Sequence, residues 1–257
     1  MKKSMVWDPH LFKEHYETLT QTNIVLAASE KRRLEFYLKE LKLKNTDTVL
    51  DVGCGYGRLS KLVSNKVKSV IGIDINPENI LYAKKYVGDK FQGHVLDLSL
   101  GVLPFPDKSV DKIIIDNVLM FFSRQTQVVF FKEAKRVLQE QGILAFNFEN
   151  SNYVCKPLST FFTCLYGLKA KLQGKIIPVH YSNSLDFYTM LLGELGFDNL
   201  QSIGDTFYRK MGIGIIEVFP KVLYSYVSKR DQTCYNSQKK NKMSSLTIAA
   251  SLTNVKK

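Results

Sequence analysis

The sequence predicts an α/β fold built on a mostly parallel sheet, and three stretches carry that prediction. The first is an apolar strand, 48–52, that runs into Asp51-Val52-Gly53-Cys54-Gly55-Tyr56-Gly57 and then into a helix. That order puts a glycine-rich turn at the carboxyl end of the first strand, where open α/β sheets bind ligands. The second is 69–74, another apolar strand that ends in an acid, Asp74, 23 residues after Asp51. The third is Lys112-Ile113-Ile114-Ile115, which has the continuous apolar character of a strand buried on both faces.

Each residue of the turn has a mechanical reason. Gly53 and Gly55 allow a sharp turn and a close backbone approach to a ligand; Gly57 allows the next helix to pack tightly on the strand. The dinucleotide fingerprint G-x-G-x-x-G does not fit, because its third glycine, counted from Gly53, falls on Arg58. A carboxylate at Asp51 repels a pyrophosphate and attracts an ammonium group. S-adenosylmethionine has an α-amino group, a sulfonium and an adenosine but no phosphate, so the pattern favours it. Asp74 stands near the spacing of about 20 residues at which an acid meets ribose hydroxyls, and its carboxylate can accept from both. Ile75 then suits an adenine face. Asn76-Pro77-Glu78 opens the next helix with a capping residue, a first-turn proline and an acid at the positive end.

The Asp51–Gly57 pattern resembles the first motif of the class I S-adenosylmethionine-dependent methyltransferases. Leu103-Pro104-Phe105-Pro106-Asp107-Lys108-Ser109-Val110-Asp111 closely resembles that family's Leu-Pro-Phe-x-Asp-x-Ser-Phe-Asp connection, with Val110 in place of Phe. Arg136-Val137-Leu138 followed by Gly142, and Leu195-Gly196-Phe197, are similar to further family units. The resemblance covers residues 45–150 and, loosely, 183–200. It implies a Rossmann-like three-layer sandwich whose mostly parallel seven-stranded sheet has an antiparallel last strand. It implies S-adenosyl-L-methionine as cofactor, leaving as S-adenosyl-L-homocysteine, and a small, partly apolar acceptor molecule. The cofactor-binding residues so implied are Asp51, Gly53, Cys54, Gly55, Gly57, Asp74, Ile75, Asp97, Leu98, Asp116 and Asn117. Among these, Asp97 receives the adenine amino group and the Leu98 amide meets a ring nitrogen. Some family members carry a histidine at or beside position 121 or 122; Phe121 and Phe122 stand here instead and read as pocket wall.

The chain reads as one domain, 1–257, in four parts: N-terminal helices (1–44), the cofactor core (45–150), an insertion or lid (151–183) and the completion of the sheet (184–257). Helices are expected at 8–23 and 28–42. In the second, Leu34, Tyr37, Leu38 and Leu41 share one face and charged residues fill the other. Tyr16 is a candidate lid residue against the acceptor, or a packing aromatic. Strand three is expected at 93–96, a helix at 130–139 capped by Gly142, and strand five at 143–148. The insertion mixes apolar residues, Phe162 among them, with lysines. It reads as a lid shaping the acceptor pocket, as a helix packed on the core, or as a basic amphipathic surface in peripheral contact with a membrane. A helix at 185–195, a strand near 200–204 and a last strand within 243–253 follow.

Composition narrows the rest. The 257 residues are 45 % hydrophobic and 23 % charged, ordinary globular values, with no run of 18 apolar residues. The N-terminus shows no apolar core of a secretion signal. Four scattered cysteines without a C-x-x-C indicate neither a metal site nor a disulfide framework, so a cytoplasmic setting and no obligatory metal are expected. The net charge of +12 divides as +4 over residues 1–150 (22 basic, 18 acidic) and +8 over the remainder (14 basic, 6 acidic). That bias leaves an RNA methyltransferase as an alternative, although Asp116-Asn117-Val118-Leu119 is not an Asn-Pro-Pro-Tyr-type base-methylating motif. A non-catalytic S-adenosylmethionine-binding module is a second alternative. Of the possible bases His15, His94 and His180, His94 lies within a strand and reads as structural, which leaves His180, just after the insertion, as the candidate catalytic base. A monomer or homodimer is expected.

Overall fold

The structure, a computed structural model, describes residues 24–152, 181–206 and 245–253. The expected helix at 8–23, Tyr16 and His15, most of the insertion with Phe162 and His180, and residues 207–244 lie outside the described residues. Helix α1 (Ile24–Glu40) leads into β1 (Thr48–Val52), α2 (Arg58–Ser64), β2 (Ser69–Asp74), α3 (Pro77–Val87) and β3 (Phe91–Val95). Then come β4 (Val110–Ile115), a short 3-10 turn (Leu119–Phe121), α4 (Arg124–Val137), β5 (Leu138–Glu149), α5 (Leu185–Glu194), β6 (Phe197–Thr206) and β7 (Ser245–Leu252).

The strands form one seven-stranded sheet in the order β3-β2-β1-β4-β5-β7-β6. The pairings from β3 through β5 are all parallel; β7 runs antiparallel to both β5 and β6. This is the sheet the sequence implied, with its single reversed strand last in the chain.

Side-chain alternation separates two cores, one on each face. Leu50, Val52, Ile113, Ile115, Phe146 and Phe148 face α4 and α5 and pack with Phe130, Phe131 and Tyr188. Val49, Ile114 and Ala145 face the other way and pack with Phe36, Tyr37, Leu59, Val63, Ala83 and Val87 from α1, α2 and α3. Each fully buried aliphatic or Phe side chain contributes about 1.5–3 kcal/mol. The aromatic side is locked by ring contacts, with Phe148 and Tyr188 centroids 4.3 Å apart and Phe131 and Phe146 4.9 Å apart.

Several local expectations are corrected. Helix α1 begins by Ile24 and ends at Glu40, and its buried face is not purely apolar: Glu30 and Arg33 are 8 % and 3 % exposed. Gly57 serves helix-to-helix packing, since a Cβ there would meet Val87 at 2.9 Å and Ala83 at 3.0 Å, both on α3. Gly142 caps no helix. It lies inside β5, where the β4–β5 register shifts, and a Cβ would press on the Gln139 carbonyl at 2.8 Å. Strand β3 begins two residues before the expected start, and strand five begins at Leu138.

Arg136 gives the Leu-Pro-Phe connection its physical basis. From α4 it donates to the carbonyls of Leu103 (2.8 Å) and Phe105 (2.9 Å), and to Asp107 (2.6 Å) and Glu133 (2.8 Å). One planar guanidinium thus holds the loop that feeds β4. The hydrogen bonds to Glu133 and Asp107 raise its already high pKa further, while Arg136 keeps Glu133 below the usual carboxylate range.

Candidate active site

The carboxyl ends of β1 and β2 and the loop after β4 meet at the glycine-rich turn. Gly53, Gly55 and Gly57 all have positive φ (67°, 52° and 89°), a conformation L side chains rarely adopt. Their neighbourhoods differ. A Cβ on Gly53 would fall 2.2 Å from Val118 Cγ2, so the loop after β4 lies directly against the turn. Gly55 has nothing within 4 Å of its Cβ position: the turn opens there. Cys54 stitches the turn to the sheet through its backbone, donating to the Ile73 carbonyl (2.9 Å) and accepting from the Gly57 amide (2.9 Å). Its side chain is buried, and burial pushes the thiol well above its ordinary pKa, which makes it an unreactive wedge.

The two motif acids differ in setting. Asp51 is 2 % exposed and accepts the Ser60 hydroxyl of α2 at 2.7 Å. Burial, opposed by Ser60 and by Arg58, pushes its carboxyl up to about 6. Asp74 is half-buried at the end of β2. Its Oδ2 accepts the Gly55 amide at 2.9 Å; its Oδ1 accepts the Asn76 amide at 2.9 Å and the Asn79 side chain at 3.1 Å. Ile75, the next residue, is 61 % exposed despite being apolar. Asp97 is exposed and turns back to its own loop through the Ser99 amide (2.8 Å), while Leu98 is buried in the core.

Asp116 is organised in a way the sequence did not disclose. Its side chain is 4 % exposed and meets Arg33 at 2.7 Å, Arg58 at 2.5 Å and the Tyr37 hydroxyl at 3.2 Å. Arg58 also bonds Glu30 at 2.6 Å. Two arginines and two carboxylates therefore tie α1 to the start of α2 and to the end of β4. The carboxylate of Asp116, expected at the cofactor, holds this ionic circuit together. Asn117 follows with φ 60° and exchanges two bonds with Asn147 of β5. Sequence reasoning missed Glu30, Arg33, Arg58, Ser60 and Asn147. Only the alternation along β5, which puts a polar Asn147 where an apolar residue belongs, offered a signal.

Toward the acceptor side, Phe121 is 50 % exposed, but Phe122 is 8 % exposed and packs on Phe130, so its ring serves the core rather than a pocket wall. The chain returns from the insertion with the Tyr181 amide donating to the Met120 carbonyl at 2.7 Å. Gln127, fully buried, accepts from Asn183 and Tyr188 and donates to the Leu119 and Phe122 carbonyls. These bonds fix the segment 119–122, which follows the Val118 that lies against the turn. His94 lies in β3 as expected but is exposed, its ring edge-on to Phe105. Among the described residues no group of three or more His, Cys, Asp or Glu has metal-holding geometry, and no helix is long and apolar enough to cross a membrane.

A seven-stranded sheet reversed only at its last strand, with the left-handed Gly55 bonded to the acid at the end of β2, is the Rossmann-like architecture found in class I S-adenosylmethionine-dependent methyltransferases. Residues 50–146 match the family described as a methyltransferase domain. An uncharacterized methyltransferase of Schizosaccharomyces pombe is 29 % identical over 170 residues, covering 62 % of each chain. The demethylmenaquinone methyltransferase of Tropheryma whipplei is 32 % identical over 137 residues, 52 % of this chain and 55 % of that protein. The chain therefore spans less than two thirds of the length of these relatives. Among solved structures, geranyl diphosphate C-methyltransferase from Streptomyces coelicolor superposes with a TM-score of 0.57 at 14 % identity, over 86 % of this chain and 79 % of that one.

Proposed function

We propose that this protein transfers a methyl group from S-adenosyl-L-methionine to a small, partly apolar acceptor by in-line displacement. The observation that carries the reading is the turn itself: Gly55 stands open while its amide is already bonded to Asp74, the acid whose sequence spacing suits a ribose. The residues present fit the cofactor. Asp74 Oδ2 has a further acceptor position, Oδ1 can exchange the Asn79 amide for a second hydroxyl, and the exposed Ile75 offers an apolar face to adenine. Asp97 is exposed at the end of β3, where the adenine amino group is expected. Asp51, buried just before the turn with Oδ2 accepting from Ser60, draws the α-ammonium group through its charge.

When bound, the cofactor supplies an electrophilic methyl on a cationic sulfur. The chain's own task is alignment of the acceptor, worth about 7–11 kcal/mol where the geometry is a near-attack one. Phe121, half exposed three residues after the Val118 that lies on the turn, lines the acceptor side in this proposal. His180, Tyr16 and Phe162 complete that side in this proposal, His180 as the base. The demethylmenaquinone methyltransferase relative supports an apolar acceptor.

Calorimetric titration with S-adenosylmethionine and S-adenosylhomocysteine tests the reading. Micromolar binding of both, weakened at least tenfold in Asp74→Ala, is the expected result. It opens a screen of quinone-like and other small apolar acceptors with labelled methyl groups. No binding of either compound overturns the reading; binding without turnover of any acceptor favours the non-catalytic module.

A further inference from the structure

We propose that Asn147 is a positioning residue for the cofactor site, acting through the backbone of Asn117 and Val118 on the glycine-rich turn. This deepens the reading above and rests on it. Asn147 sits on β5, 1 % exposed, on the sheet face shared with Ala145 rather than the aromatic face of Phe146 and Phe148. A buried amide at that place needs partners, and it finds them in one residue. Its Oδ1 accepts the Asn117 backbone amide at 2.6 Å, and its Nδ2 donates to the Asn117 side-chain carbonyl at 2.9 Å.

Asn117 is held at φ 60°, a left-handed conformation reached by few residues other than glycine. The fold uses that conformation. It turns the chain sharply at the end of β4 and lays Val118 on Gly53, where Val118 Cγ2 fills the space of the missing side chain. Asn117 also donates through Nδ2 to Asp116 at 3.2 Å, which joins this lock to the Arg33–Asp116–Arg58 circuit. The contacts thus run without a gap from β5 through the β4 loop to the turn. Asn147 touches none of the turn's residues in this chain of contacts; it sets the loop that presses on them.

The role predicts a rescue that ordinary core damage does not show. Asn147→Ala removes both bonds, which weakens S-adenosylhomocysteine binding about tenfold on the scale of two net hydrogen bonds. Asn147→Asp keeps the acceptor for the Asn117 amide and loses the donor, and falls between wild type and Asn147→Ala. Adding Asn117→Gly to Asn147→Ala recovers at least threefold of the affinity, because glycine holds positive φ without a lock. Titration calorimetry on the four proteins reads this, with thermal unfolding of each alongside. Asn147→Ala binding within twofold of wild type overturns the proposal, as does a double variant no better than the single one. Absence of binding to the wild-type protein overturns the methyltransferase reading and the cofactor part of this inference with it. The backbone role is then decided by the unfolding data, where Asn117→Gly must restore stability lost in Asn147→Ala.

Discussion

Replacing Asp116 with Ala removes the common acceptor of two arginines and a tyrosine. The buried Arg33 loses its 2.7 Å contact; Arg58, whose side chain is 21 % exposed, loses its 2.5 Å contact and keeps Glu30. Breaking a buried ion pair from one side costs about 3–5 kcal/mol, because the remaining charge loses the carboxylate that offset its burial. For a chain of this size that lowers the melting temperature by about 6–20 °C. Urea and thermal unfolding followed by circular dichroism measure it. The reasoning makes a second demand: Asp116→Leu combined with Arg33→Met removes both charges and recovers more than half of the loss, as replacing a buried pair with apolar groups does. A loss below about 1 kcal/mol for Asp116→Ala, the value of an exposed surface pair, refutes the circuit as a buried structural element.

Gly53→Ala and Gly55→Ala share the penalty of a left-handed backbone, but only Gly53 faces a side chain, at 2.2 Å. Chemical denaturation should find Gly53→Ala the more destabilising by at least about 1 kcal/mol, with Val118→Ala relieving part of it. Asp51 makes a pH-dependent prediction. Its folded pKa, about 6, lies above the ordinary 3.8, so the folded state binds the proton more readily. Its contribution therefore declines as pH rises from about 4 to 6 and stays low above that. Wild type should lose stability relative to Asp51→Asn across that window; parallel curves for the two proteins would contradict the buried carboxylate.

The legible parts of the fold were those written in contiguous residues. Strands 48–52 and 69–74 have the bounds expected of them, and the Asn76 cap accepts the Glu78 amide as its sequence suggests. The reversed last strand followed from family resemblance, not from periodicity. Contacts between distant residues were illegible. Arg33 and Asp116 are 83 positions apart, and nothing in helical spacing says that a charged face points inward. The purpose of Gly57 was misassigned for the same reason, since Ala83 and Val87 become its neighbours only once α2 and α3 are side by side. Among the site residues, Asp74 and the three glycines stand at the turn as read, whereas Asp116 needed the fold to reveal its partners.

The placement of β7 has a consequence for how the protein is made. This strand lies between β5 and β6, yet it is translated after both. On the ribosome β5 therefore waits with its outer rim of amides and carbonyls unsatisfied, and β6 has no strand to join. Leu246, Ile248 and Ala250, all buried in the finished sheet, are the plug that closes this gap. Until they emerge, the nascent chain presents a sticky seam of the kind that recruits chaperones or mispairs with a neighbouring copy.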